Sequence, residues 1–237
     1  MLVSVAVVPG PPTLVADLMG SAAHELDDLR TAVDLVVSQT VSAVSTQLVV
    51  VGPGPAGEFN AAGPVSFASF GRDVSFPALV DAGKTDRELP TPLMVARYLA
   101  SLDVAAHPGH ADLWASARWI TTSGADATCL GEQLRESGAS LALILVADGA
   151  ACHGPKAPRA QDSRAAPYDE EVCAALASGQ PGRLAQIDVD LGRELGATGQ
   201  EVWPVLVAAA GGDMIGEVVW TGAPYGVGWA VASWRRT

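Results

Sequence analysis

Apolar residues in this chain come in two patterns. Short unbroken runs rich in Val, Ile and Leu end abruptly at Gly or Pro. Longer stretches repeat their apolar positions every three or four residues. The first pattern marks buried strands and the second marks helices with one buried face. "LVSVAVV" (2–8), "QLVVVG" (47–52) and "SLALILVAD" (140–148) are runs of the first kind. The last is apolar on both faces, as in the middle of a parallel sheet covered on both sides. "RWITT" (118–122) predicts a further short strand, and "VSFASFG" (65–71) alternates like an edge or antiparallel strand. "MIGEVVWTG" (214–222) and "GVGWAVASW" (226–234) flank the turn "APYG" and read as antiparallel partners.

Between these runs the period changes. From about Leu14 to Ser45, with a break at Gly20 and Ser21, Leu26, Leu29, Val33, Val36, Val37, Val41 and Val44 form one helical stripe. The spacing predicts a helix over 91–102, with Thr91 as N-cap and Pro92 at the first helical position. Another helix, capped by Asp126, runs to about Ser137. "YDEEVCAALAS", "PGRLAQI" and "DVDLGRELGA" are three short helical stretches, followed by a helix over about 201–210, and "GKTDRELP" (83–90) is a surface connection. Strands alternating with helices predict an α/β fold, a single domain over 1–237. Its central sheet is largely parallel or mixed, with helices on both faces. No composition break or internal repeat divides it.

With 237 residues, 49% of them hydrophobic, the chain has ample material for a core, and at 5% aromatic that core is built mainly from Ala and Val. The net charge of −12 and the scatter of the 14 basic residues argue against nucleic acid and against an anionic membrane surface. No apolar run reaches the length of a membrane span, and "MLVSVAVVPG" lacks the basic segment of a signal peptide, so a first strand is expected there. Cys129, Cys152 and Cys173 have neither metal-site nor disulfide spacing and suit a reducing cytoplasm.

Ligands in such sheets bind at the carboxyl ends of the strands. Three apolar strands end there in conspicuous loops, "VVPGPPTL", "VVVGPGPAG" and "LVADGAACHGPKAP", and "GAPYGVG" is expected to join them. The third loop carries Asp148, Cys152, His153 and Lys156 within nine residues. Asp148 reads as an Asx-type turn residue or as a metal ligand or general base. His153 reads as a hydrogen-bonded structural or surface histidine, or with Asp148 as part of a relocated site, and Lys156 as solvated or as an anchor for an anion. Cys152 is a nucleophile only if a partner lowers its pKa. "HPGH" (107–110) and His24 complete the histidine inventory, and Pro108 and Gly109 make a surface turn the favoured reading of the former. "GPGPAG" lacks the ending of a phosphate loop, and no dinucleotide fingerprint follows the first strand.

"PGPPTLV", "VVVGPGP", "VADGAACHGPKAP", "DSRAAPYDEEV" and "APYGVGWAVASW" together resemble the class III extradiol ring-cleavage dioxygenase superfamily, subunit-B type, in its Ala-rich actinobacterial branch. The resemblance spans essentially the whole chain. It implies an α/β scaffold and, in active members, Fe(II) held by two histidines and a carboxylate. One of those histidines belongs in the loop after the first strand, where this chain has Gly10, and the second has no counterpart in Gly52–Pro55. The expectation is therefore a noncatalytic or repurposed member with no cofactor, binding a small molecule or protein partner at the strand ends. The alternative is an enzyme, dioxygenase-like or hydrolytic, whose site has moved to Asp148 and His153. Lys156 or Tyr225 would then orient the substrate, and only this alternative calls for Fe(II) or Zn(II). The superfamily commonly oligomerises, so a homo-oligomer is expected, with Trp220, Trp229 and Trp234 either as interface anchors or as ordinary core.

Overall fold

The computed structural model describes residues 1–43, 46–80 and 89–236. Seven strands form one mixed sheet in the order β3-β6-β2-β7-β1-β9-β8. Its centre is parallel: β1 (Leu2–Val8) and β2 (Gln47–Pro53) lie on either side of β7 (Leu141–Val146), and β6 (Arg118–Thr122) extends the sheet beyond β2. β3 (Gly57–Phe59) runs antiparallel at one edge, and β9 (Trp229–Arg235) with β8 (Ile215–Gly222) closes the other as an antiparallel pair. Every residue of β7 is buried, as its two-sided apolar sequence requires. The α/β reading therefore holds.

Alternating residues of the strands feed two cores. On one face Val5, Val7, Leu143 and Leu145 pack under α5 (Gly124–Glu136), α6 (Ala165–Ser178), α7 (Pro181–Leu184), α8 (Val189–Leu195) and α9 (Trp203–Ala210). On the other face Ala6, Val8, Val50 and Ile144 meet α2 (Asp27–Ser42), α3 (Thr91–Ala106) and α4 (Ala111–Ala115). The stripe Leu29, Val33, Val36, Val37, Val41 is the buried face of α2, and Asp27 and Asp28 sit in its first turn, where the helix dipole favours them. Among the described residues no helix is long and apolar enough to cross a membrane.

Local details depart from expectation at element ends. The break before α2 comprises α1 (Ala16–Met19) and a 3-10 stretch, Gly20–Leu26. The N-cap of α3 is Pro90, and Thr91 is already helical. This helix runs to Ala106 and stops at His107, because the residue before Pro108 is pushed out of the α region. Asp126 lies in the first turn of α5, and Ser123 holds the cap position without a side-chain bond. At α8 the Asp188 carboxylate does cap, accepting the N–H groups of Asp190 and Leu191. α9 begins at Trp203, later than expected, after a 3-10 turn over Gly199–Glu201. Of "VSFASFG" only β4 (Val65–Ser66) is extended. It pairs with β5 (Ser75–Phe76), and a 3-10 turn follows it. The connection over 83–90 falls outside the described residues up to 88, as do Val44 and Ser45 at the end of the predicted helical stripe.

The late tryptophans belong mainly to the cores. Trp234 is fully buried and its indole N–H donates to the Leu176 carbonyl at 2.7 Å, while Trp229 is buried on the opposite face and Trp220 packs beside it half-buried. Trp229 and Trp234 are thus unavailable as interface anchors. Trp234→Phe removes this bond, leaving the Leu176 carbonyl only the Gly179 N–H among the described residues, and vacates buried volume, so a loss of about 1.5 kcal/mol or more is expected in denaturant unfolding.

Candidate functional site

Because β1, β2 and β7 are parallel and β8 returns beside β9, their following loops and the β8–β9 turn all reach one edge of the sheet. Backbone hydrogen bonds stitch two of these segments together. Gly149 N–H donates to the Gly228 carbonyl, Gly228 N–H to Ala150, and His153 N–H to Gly226. The loop after β7 is thereby fixed to the β8–β9 turn as expected. Beside this seam lies a cavity of about 430 Å3, on the α6 side of the sheet. Asp148, His153 and Asp169 all line it.

Asp148 emerges at the end of β7 but does not form the expected Asx turn. Its Oδ1 accepts the N–H of Gly10 at 3.1 Å, tying the loop after β1 to the loop after β7. Its own N–H donates to Thr198 Oγ1, and its carbonyl accepts from Thr198 and Gly199, so the backbone is locked. Burial pushes the carboxyl pKa up to about 6, against the smaller opposing pull of the Gly10 N–H. An acid with that pKa exchanges its proton close to neutral pH.

His153 is paired with a residue that the sequence reading missed. Its Nε2 lies 2.5 Å from Asp169 Oδ2, and both side chains are largely covered. Asp169 also accepts the Ala150 N–H with both oxygens, at 3.0 and 3.2 Å. Burial raises its pKa, while the Ala150 N–H and His153 pull the other way. The close approach depends on two glycines. A Cβ at Gly149 would stand 2.4 Å from Asp169 Oδ1, and one at Gly228 would stand 1.7 Å from Oδ2. A carboxylate on Nε2 fixes the imidazole tautomer and leaves Nδ1 as the other nitrogen for proton transfer. Among the described residues Nδ1 has no hydrogen-bond partner.

A signal for Asp169 was present. On α6 it shares a stripe with Val172, Cys173 and Leu176, the inward face of the helix and part of the cavity wall. A carboxylate on an apolar stripe differs from the solvated Glu170 and Glu171 beside it. Trp203 of α9, another lining residue, also went unnoticed.

The remaining candidates lie elsewhere. Lys156 is exposed and does not line the cavity. Tyr225 packs edge-on against Trp229 in the opposite core, and its hydroxyl donates to Glu25 at 2.8 Å. Burial pushes the Cys152 thiol pKa up, and Sγ points to the Leu195 carbonyl at 3.5 Å, an arrangement opposite to that of an activated nucleophile. In "HPGH", His110 bridges Asp103 (2.8 Å) and the Ser42 hydroxyl (3.2 Å), joining α3 to the end of α2. Among the described residues His24 bonds the Ser21 carbonyl alone.

The donor set does not fit a ferrous site of two histidines and a carboxylate. At Gly10 the backbone runs so close to β7 that a Cβ would meet Val146 Cγ1 at 2.6 Å, and the Gly10 N–H is bonded to Asp148. At Gly52 a Cβ would press on Pro92 and Leu93 of α3. Among the described residues no three His, Cys, Asp or Glu side chains converge as metal ligands.

No family model matches the sequence, and no curated protein matches it. Among solved structures, the chain is similar to an uncharacterised protein from Escherichia coli K12, JW3007. The TM-score is 0.46 at 13% identity, covering 98% of this chain and 99% of that one.

Proposed function

We propose that the cavity beside the seam is a small-molecule site. In this reading the chain is a repurposed member of the class III extradiol dioxygenase superfamily that works by proton transfer from its own side chains. The resemblance in the strand-end loops supports the scaffold. The observation that carries the reading is that Asp148 and the His153–Asp169 pair all belong to the lining of this one cavity. A carboxyl with a pKa of about 6 and a carboxylate-oriented imidazole form an acid–base set suited to a bound ligand. The cavity lies within the size range of ordinary ligand sites and has mostly apolar walls with few polar groups.

Ala166 sits at the exposed start of α6 and lines the cavity, so Ala166→Trp fills the mouth with little effect on the fold. Saturation-transfer NMR with a fragment library is expected to give hits on the wild type that disappear with Ala166→Trp. If no fragment binds, or if every hit survives the substitution, the reading fails.

A further inference from the structure

The walls of the cavity carry charge of one sign. Asp148, Asp169 and Glu170 belong to its lining, and none of the described lining residues is Lys or Arg. Lys156, the nearest basic residue in sequence, is exposed and outside the lining, and the next two are committed elsewhere. Arg164 pairs with Asp162 and Glu194, and Arg159 donates to the carbonyls of Arg193 and Glu194. Among the described lining residues the only group able to carry positive charge is His153, already matched by Asp169. A ligand carboxylate or phosphate entering here would meet two further acidic residues, with no Lys or Arg among the described lining residues to receive it.

The rest of the wall favours an apolar body with a polar end. Val172, Leu176 and Trp203 supply apolar surface. Trp203 is 6% exposed, and its indole N–H has no partner among the described residues. It packs against Gly199, also a lining residue, where a Cβ would lie 2.6 Å from that nitrogen. The ring offers an aromatic surface to the body of a ligand.

We infer that the pocket selects a cationic amine with an aromatic or aliphatic body over neutral and anionic molecules of the same shape. The inference rests on the reading of the cavity as a small-molecule site and adds the ligand class. The ammonium group would sit between Asp148 and Glu170, and the body would lie against Val172 and Trp203. Two opposite charges at contact distance in a partly shielded site exceed the loss of hydration by enough to give about a tenfold preference or more.

The test uses matched probe sets on phenyl, naphthyl and indole bodies, each ending in ethylamine, ethanol or acetate. Affinities are measured by NMR titration against wild type, Ala166→Trp, Asp148→Asn and Glu170→Gln. The amines are expected to bind at least about tenfold tighter than the alcohols, with the acetates weakest. Both carboxyl substitutions should shrink that gap, and Ala166→Trp should abolish binding. Glu170 is exposed, so its variant keeps the test independent of any folding defect in Asp148→Asn. Equal affinity across the three end groups, or a preference for the acetates, overturns the charge selection while leaving the pocket itself standing. Absence of all binding that Ala166→Trp can remove overturns both.

Discussion

Replacing Gly228 with Ala is expected to break the His153–Asp169 pair and to lower stability by about 3 kcal/mol, an overpacking effect with a lost hydrogen bond added to it. The added methyl would lie 1.7 Å from Asp169 Oδ2, 2.7 Å from its Cγ and 3.0 Å from His153 Nε2. The backbone of Gly228 is not in the left-handed region, so alanine is conformationally acceptable and the whole effect is steric. Neither side can step back easily. Gly228 is held by hydrogen bonds to Ala150 and from Gly149, and Asp169 is confined on its other side by the Gly149 backbone. Asp169 must therefore rotate away, leaving the Ala150 N–H without its acceptor.

A thermodynamic cycle isolates this cause. In an Asp169→Ala background the obstructing oxygen is gone, so Gly228→Ala should cost less than about 0.5 kcal/mol. Gly182→Ala, a helix position with open space around it, is the control and should be neutral or slightly stabilising. Equal costs for Gly228→Ala with and without Asp169 would show that the carboxylate is not what the glycine makes room for.

The scaffold was legible because burial writes itself into sequence as period. β1, β2 and β7 are runs of Val, Leu and Ile that could be nothing but covered strands, and α2 repeats Leu29, Val33, Val36 at helical spacing. Helix ends were less legible. Caps such as the one expected from Thr91 compete with proline geometry one residue away, and Pro90 prevailed. The site was half legible. Asp148 and His153 stand out because they follow a buried strand in a Gly-rich loop. Asp169, sixteen residues beyond His153, joins them only through the return of α6 across the sheet. Gly149 and Gly228 matter through atoms they lack. Tyr225 misled for the opposite reason: it lies in the right turn, but its ring goes to the other core, and alternation along a short turn does not set that direction.

Asp148 is expected to make the protein less stable as pH rises from about 4 to about 6. Its folded pKa of about 6 exceeds the ordinary carboxyl value, 3.8, so in that interval the native state holds a proton that the unfolded chain has released. The sign follows directly. Below the unfolded value both states are protonated and the group is neutral to stability. As pH rises through the window, ionisation favours the unfolded chain. Above the folded value the full penalty is present, on the order of 2–3 kcal/mol for a shift of about two units. Asp169, also raised by burial, adds a slope of the same sign, so the informative quantity is the difference between wild type and Asp148→Asn. The asparagine retains an oxygen to accept the Gly10 N–H and cannot ionise. It should match the wild type at pH 4 and exceed its stability by about 2 kcal/mol at pH 7, with the divergence centred between those values. If the variant is instead weaker at pH 7, the carboxylate is stabilised by its surroundings and the burial argument is wrong. An ammonium group lodged beside the Asp148 carboxylate, as inferred above, offsets this penalty. Saturating amine should therefore flatten the wild-type pH slope and leave that of Asp148→Asn unchanged.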